Sequence, residues 1–444
     1  MASLQEHLIE ALAGSTWSRR RVDLVLGTDV FIHHERRVAL TPRHVRILRR
    51  DLEGLGLEPH IHVLADAGAR AVDPGTGEAF DDALYAAEGA NIVSVEDAAK
   101  LERVDVFHAL KEPTEYESTL PGPILRIGAL HLASKPPGLC QMLADKNFAA
   151  IIDGGTVGNC SYLRHGGDRT PIVGSMSRFA GWVSGRKLLE GLEANGIDGG
   201  KIVIVGGGIA GKSAIEKVHP KAHPLVVVDP WEPTRRRLQD ELPALGVERF
   251  EIVETLTEEV MDDAVGIVFA HRSGAKKAEK VCDYERHIRR MRSGAAIADI
   301  AIDQGGSIDH PGYLESDDAA ASREKYIELL TPDYFYYAEM NMPREEPHEA
   351  SEMHGDASLP YITALLALCA RHGDTREVTR RILSRSVRVY ASTDDTGELS
   401  LLDCVLQDLR NGTQLAQPED TLEITDADIA QDDELAGWVR QCAG

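Results

Sequence analysis

The sequence predicts an α/β protein with two doubly wound, helix-covered parallel sheets, and three observations carry that expectation. Short apolar runs alternate with helical patterns along most of the chain, which is how strands joined by crossover helices read. Several of these runs are rich in Val and Ile without polar alternation, the mark of strands buried on both faces. One run leads directly into a glycine-rich turn and then a helix. At 444 residues the chain is too long for one ordinary core and suits two domains.

Composition narrows the class. Lys and Arg number 48 against 72 Asp and Glu, a formal charge of −24. So acidic a chain is a poor partner for nucleic acid or an anionic membrane surface, both of which are polyanions. Hydrophobic residues make up 43% and aromatics 5%, so packed cores must come mostly from Val, Ile, Leu and Ala. No stretch approaches the roughly 18 uncharged apolar residues of a spanning helix. Glu6, His7 and Glu10 stand where a signal peptide would carry a basic region, so none is expected. Cys140, Cys160, Cys282, Cys369, Cys404 and Cys442 form no CxxC pair, which suits reduced thiols and a cytoplasmic location.

The elements follow in order. Residues 1–21 read as a polar, helical extension, and 22–26 as the first strand. Thr41-Pro42 opens a helix with Pro in its first turn. A strand at 60–64, a helix at 81–88 and short strands at 91–93, 104–109, 124–127 and 149–152 come next. The Gly-Gly and charges of 163–170 mark a surface loop. Phe179, Val183, Leu188, Leu189 and Leu192 then give 175–195 the spacing of a long linking helix. Strands recur at 201–205, 225–228, 250–253, 265–269 and 295–300. The pattern turns helical from Ser358, a further helix is expected over 375–387, and the acidic end of the chain reads as a solvated face.

The strongest local signal is KIVIVGGGIAGKSA, where a β-run enters Gly206-x-Gly208-x-x-Gly211 and then a helix. The first Gly permits the tight turn, the second lets backbone approach a pyrophosphate, and Gly211 lets helix and strand pack closely. The helix N-terminus, at Ile209 and Ala210, supplies N–H groups and positive dipole to the anion. A second β-run, LVVVD, ends at Asp229, where a carboxylate accepts the adenosine ribose hydroxyls and repels a 2′-phosphate. The turn therefore predicts a dinucleotide site that favours NAD over NADP. Arg235, Arg236 and Arg237 close behind read as helix-surface arginines.

Three further groups could do chemistry. In HHERRVALTP, Arg36 and Arg37 lie between a strand and a helix, and an arginine fork suits a substrate carboxylate. Lys111 (LKEP) and His131 (LHLA) stand at the C-terminal ends of β-runs, where open α/β sheets place ligands. A lysine can polarise a carbonyl oxygen and a histidine can shuttle a proton. In IADIAIDQGG, Asp299 reads as structural and Asp303, next to the turn, as the better site group. No metalloenzyme spacing, no paired-cysteine motif and no G-x-S-x-G are present, and no metal is expected.

Taken in order, HERRVALTP, LKEP, LHLA, SMSRFAGWVSG, VIVGGGIAG, SGAKKAEK, IADIAIDQGG and MNMP resemble the alanine dehydrogenase and pyridine nucleotide transhydrogenase α-subunit family. The resemblance runs from Val22 to Gly373, and AIDQGG is more similar to the alanine dehydrogenase branch. It implies two Rossmann-like doubly wound domains with an interdomain cleft. Residues 22–170 and 344–400 would form the substrate domain, 171–343 the NAD-binding domain, and 401–444 an acidic extension. It also implies a homo-oligomer, a dimer or hexamer.

Carried over by position, Arg37 would hold the substrate carboxylate and Lys111 the carboxylate and carbonyl oxygen. His131 would be the acid/base and Asp303 the aspartate at the nicotinamide edge. Ser177, Gly208, Asp229, Asn341 and Met342 would contact cofactor or substrate. The reaction implied is oxidation of an amino acid by NAD with loss of ammonia, or its reverse from a 2-oxo acid.

The match departs from the family around substrate choice. Arg344, Glu345, Glu346, Pro347 and His348 replace small apolar residues after MNMP, and Arg178 stands where Glu is common. The helix after Gly211 also meets the two prolines of HPKAHP early. An amino acid larger or more polar than alanine is therefore expected. The alternative is an opine- or saccharopine-type reductase that joins a 2-oxo acid to an amine-bearing amino acid. A dinucleotide-sensing protein without turnover sits poorly with Arg37, Lys111, His131 and Asp303 standing together.

Overall fold

The computed structural model describes residues 4–28, 35–111, 114–128, 148–153, 171–271, 280–313, 319–378, 391–393 and 399–401. The chain divides into two compact units, Met1–Ser175 with Glu346–Gly444, and Met176–Glu345.

The first unit is built on six parallel strands: β1 (Arg21–Leu26), β2 (Glu58–Leu64), β3 (Asn91–Val93), β4 (Val106–His108), β5 (Ile124–Gly128) and β6 (Phe148–Asp153). Their order in the sheet is β3-β2-β1-β4-β5-β6, the doubly wound arrangement whose direction of winding reverses between β1 and β4. β1 is buried along all but its first residue, and the apolar run admits one charge, Asp23, because Arg21 pairs with it at 2.9 Å.

Among the helices, α1 (Leu4–Leu12) packs Leu8 and Leu12 on Ala367. α2 (Pro42–Gly54) starts at Thr41, whose N–H donates to Nδ1 of His44 at 3.2 Å, and it buries Val45, Leu48 and Leu52. α3 (Asp82–Ala87) and α4 (Val95–Ala98) are capped by the side chains of Asp81 and Ser94.

The second unit repeats the plan. Its strands are β7 (Gly200–Val205), β8 (Ala222–Val228), β9 (Phe250–Val253), β10 (Gly266–Phe269), β12 (Ala296–Asp299) and β14 (Phe335–Tyr337), with the pair β11 (Cys282–Asp283) and β13 (Ile308–Asp309) to one side. The sheet order β14-β12-β10-β7-β8-β9 is the same doubly wound arrangement, reversing between β7 and β10. α5 (Pro171–Ala194) carries the chain into this unit and buries Leu188 and Leu192 against its sheet. α6 (Ile209–Val218), α7 (Glu232–Ala244), α8 (Glu258–Met261) and α9 (Ala319–Leu330) complete the covering layers. No helix of the described residues is long and apolar enough to cross a membrane.

Several boundaries differ from expectation for physical reasons. The strand expected over 295–300 stops at Asp299, whose side chain accepts the N–H of Ala301 and starts a 3-10 turn. The helix expected from Ser358 begins at Pro347 instead, as α10 (Pro347–His372). Proline costs nothing in a first turn, and the buried face Ala350, Ser351, His354 and Ser358 carries the helix through Pro360. Of the helix expected over 375–387, α11 (Thr375–Val378) is described; the rest, like the 163–170 loop, lies outside the described residues. β14 has no counterpart in the expected strands, its run of only three residues being too short to show a period.

Candidate active site

In the second unit the glycine-rich turn forms between β7 and α6. Gly206 has φ of 99°, and a Cβ there would lie 2.6 Å from Cα of His271 on the neighbouring strand end. A Cβ on Gly211 would lie 1.8 Å from the Gly206 carbonyl oxygen. Gly208, the N-cap of α6, has nothing within 4 Å of the equivalent point, and Ile209 is exposed. The turn is thus closed on its protein side and open at the helix N-terminus, as an approaching pyrophosphate requires.

Asp229 locks this turn to the end of β8. One carboxylate oxygen accepts the Gly207 N–H at 2.7 Å and the other the Trp231 N–H at 2.9 Å. Arg235 donates to the Asp229 carbonyl at 2.8 Å and Arg237 to the Gly207 carbonyl at 2.9 Å. Arg235, expected on the surface, is half-buried because the start of α7 lies against the turn; Arg237 is exposed as expected while still bonding the turn, and Arg236 stands in solvent, paired with Glu232. Gly206, Gly208, Ile209, Ala210, Gly211 and Asp229 are brought together, and their arrangement fits a dinucleotide.

Ser177 is half-buried on α5, and Ser184, two turns further on the same face, donates to the sulfur of Met342 at 3.0 Å. Asn341 just before it has φ of 57°, and its carbonyl accepts the Arg344 N–H at 2.9 Å. Asp303 lies on the 3-10 turn Ile300–Gln304, which ends at the left-handed Gly305. Lys280 donates to the carbonyl of Gly306 and to the Tyr326 hydroxyl, each at 2.9 Å, and to the carbonyl of Gly305 as well. Asp299 is structural: it accepts from Ser307 N–H and hydroxyl at 2.8 and 2.7 Å, and burial pushes its carboxyl upward.

In the first unit, polar groups gather where the winding of the sheet reverses, beyond the C-terminal ends of β1 and β4. Arg37 and Lys111 meet there around a carboxylate, Glu35. The Arg37 fork donates from Nε and Nη2 to the two oxygens of Glu35, both at 2.8 Å, with side chains only 3% and 1% exposed. Lys111 Nζ lies 3.9 Å from Glu35 Oε2. Burial works against the Glu35 charge, but Arg37 and Lys111 outweigh it and hold the carboxyl at about 2. α10 contributes Ser351, whose hydroxyl accepts the Val38 N–H at 2.9 Å, and His354, which stacks on His108 of β4. His131 lies outside the described residues. Arg36, beside Arg37, is exposed.

Models of the two domains of the alanine dehydrogenase/PNT family, N-terminal and C-terminal, match residues 32–180 and 182–393. The chain belongs to that family. The alanine dehydrogenase of Bacillus subtilis is 28% identical over 359 residues, 76% of this chain and 84% of that protein. Alanine dehydrogenase 2 of Staphylococcus aureus strain Mu50 is 28% identical over 342 residues, 72% of this chain and 86% of that one. Among solved structures, an L-alanine dehydrogenase superposes with a TM-score of 0.60 at 22% identity, covering 90% of this chain and 98% of that one. A transhydrogenase from Sinorhizobium meliloti superposes at 0.57 with 15% identity, over 78% and 95%. These two likenesses show the shared fold.

Three groups of the alanine dehydrogenase/PNT chain escaped the sequence reading. Glu35 sits inside the quoted HERRV motif, where a lone Glu looks like any surface acid. Arg126, on β5 and fully buried, donates to Glu117 at 2.9 Å and to the carbonyls of Ala109 and Lys111 at 3.1 and 2.8 Å. It thereby fixes the backbone that carries Lys111. The only hint was a charge inside an apolar strand, which a buried partner must balance. Lys280 was quoted within SGAKKAEK without a role, because its carbonyl partners lie 25 and 26 residues on.

Proposed function

We propose that the chain is an NAD-dependent oxidoreductase acting on the CH–NH2 group of an amino acid, by oxidative deamination or the reverse reductive amination of a 2-oxo acid. The observation that carries this reading is the Arg37–Glu35–Lys111 cluster at the reversal point of the first sheet, in a chain whose second sheet bears the Asp229-locked glycine turn. A guanidinium and an ammonium side by side are the donor types that a 2-oxo acid's carboxylate and carbonyl oxygen require.

In this reading residues 22–170 and 344–400 bind the substrate and 171–343 bind NAD. NAD, when bound, supplies the hydride acceptor at the nicotinamide ring. Arg37 and Lys111 orient the substrate anion, and Lys111 also polarises the carbonyl oxygen. His131 accepts the proton during oxidation and returns it in the reverse direction, and Asp303 would be the aspartate that holds the nicotinamide edge when NAD is bound. Ser177, Asn341 and Met342 support that end of the site.

Ammonia is the favoured nitrogen donor over an amine-bearing amino acid. Arg344 pairs with Glu339 at 2.6 Å and His348 stacks on Phe80 at 4.0 Å, so both side chains are occupied within their own units. The test is NADH absorbance across a panel of 2-oxo acids, first with ammonium and then with primary amino acids. Ammonium-dependent oxidation abolished in His131→Ala is the expected result. A strict requirement for a second amino acid would move the assignment to the opine-type reductase.

A further inference from the structure

We propose that Trp231 is the platform on which the base of the dinucleotide stacks, so that this end of the cofactor is held by its face and not by hydrogen bonds to its edge. The inference rests on the reading of the glycine turn as the dinucleotide site. In a turn of this kind the pyrophosphate sits at the helix N-terminus, and the adenosine half runs toward the carboxylate that follows the second strand. Here that strand is β8, Asp229 follows it, and Trp231 comes two residues later.

The backbone of Trp231 is fixed while its indole is left open. The Asp229 carboxylate that accepts the Gly207 N–H also accepts the Trp231 N–H, so one carboxylate ties Trp231 to the turn. The Trp231 carbonyl in turn accepts the N–H groups of Thr234 and Arg235 at 3.1 and 3.2 Å, opening α7. Yet the residue is 61% exposed, an unusual setting for the largest apolar side chain. Trp17 donates from its indole to the Leu55 carbonyl at 2.8 Å, and Trp182 carries Arg186 and Lys217 over its ring. Four large hydrophobic side chains are exposed among the described residues, and the two in this unit, Ile209 and Trp231, stand at the starts of α6 and α7 beside the turn. Exposed apolar surface next to an anion site suits a ligand with a charged middle and a flat, weakly polar end. Arg235, Arg236 and Arg237, which follow, are each engaged with an acid: Glu254, Glu232 and Glu241. What this corner offers a base is therefore the indole face, and stacking on it tolerates a change of base because every base has a π-face.

The test is calorimetric titration of the full chain with NADH, ADP-ribose and the reduced hypoxanthine analogue of NAD, in wild type, Trp231→Ala and Trp231→Phe. Trp231→Ala should weaken NADH and ADP-ribose by about tenfold or more, and Trp231→Phe should stay within about threefold of wild type. The hypoxanthine analogue should bind the wild-type chain within about threefold of NADH, since only the edge of the base has changed. ADP-ribose should also quench part of the indole emission of the wild-type chain, and that signal should vanish in Trp231→Phe. Both variants should fold, because they remove no buried contact.

Unchanged affinity in Trp231→Ala would overturn the proposal, and with a smaller oligomer it would make the indole an interface residue instead. A loss that Trp231→Phe does not restore would overturn it as well, as would an analogue bound about tenfold or more weakly than NADH by the wild-type chain. A wild-type chain that binds neither NADH nor ADP-ribose would remove the dinucleotide reading and this inference with it. The expected binding pattern without ammonium-dependent turnover would leave the role of Trp231 standing and remove only the dehydrogenase reading.

Discussion

His354 of α10 lies against His108 of β4, ring centroids 5.8 Å apart and planes within 20°, with both rings buried. Among the described residues neither nitrogen of His354 has a hydrogen-bond partner. Burial is the main reason both rings stay neutral, and it brings His108 down to about 4.

The pair should make the fold acid-sensitive. The unfolded chain takes up protons on these histidines below about pH 6.5 while the native state does not, so stability is lost as pH falls from there toward 4. Each histidine contributes a slope of up to about 1.4 kcal/mol per pH unit in that window. Chemical denaturation between pH 7 and 5 should show this slope, reduced by one histidine's share in His354→Phe. An unchanged slope in that variant would assign the acid sensitivity to other groups.

Glu35 should act in a lower window. Its carboxyl is held at about 2 in the folded chain against an ordinary 4.5, so its contribution is full above 4.5 and fades as pH falls toward 2. Glu35→Gln should therefore flatten the stability profile below pH 4.5 and leave the pH 5–7 slope alone. A change confined to the upper window would contradict the assignment.

Asp229→Ala should cut NADH affinity by about 1–3 kcal/mol, because it leaves the Gly207 and Trp231 N–H groups without their acceptor and loosens the glycine turn. Fluorescence titration measures this directly. Affinity within error of wild type would mean that the turn does not depend on its lock.

Arg126→Met should destabilise the first unit by about 3–5 kcal/mol, since it strands Glu117, which is as buried as its partner. Denaturant melts of Arg126→Met and of the double variant with Glu117→Gln separate lost packing from the stranded charge. The double variant should recover part of the loss, and no recovery would argue that packing alone matters.

Lys280→Met should lower kcat of the NADH-linked reaction about tenfold while leaving the 2-oxo acid KM nearly unchanged, because it releases the Gly305–Gly306 turn next to Asp303. Steady-state kinetics with saturating NADH decide it. A change in KM alone would place Lys280 with the substrate instead.

How much of this was legible beforehand depended on the range of the interaction. The alternation of strands and helices, the Gly206–Gly211 turn, Asp229 at the end of β8 and the placement of Lys111 past β4 are local patterns, set by periodicities and backbone rules within a few residues. The family motifs are equally local strings, and they singled out Arg37 and Asp303. Sequence determined these because each is written in neighbouring residues. Only the tertiary structure decided that Arg37 closes on Glu35, that Arg126 holds the carbonyl of Lys111, that Arg235 and Arg237 brace a glycine turn, and that α10 starts at Pro347 and lays His354 on His108. Each of those depends on burial and on partners brought together by the winding of a sheet, where desolvation gives a paired charge its value and leaves an ordinary Glu or Arg indistinguishable from a surface residue until its neighbours are in place.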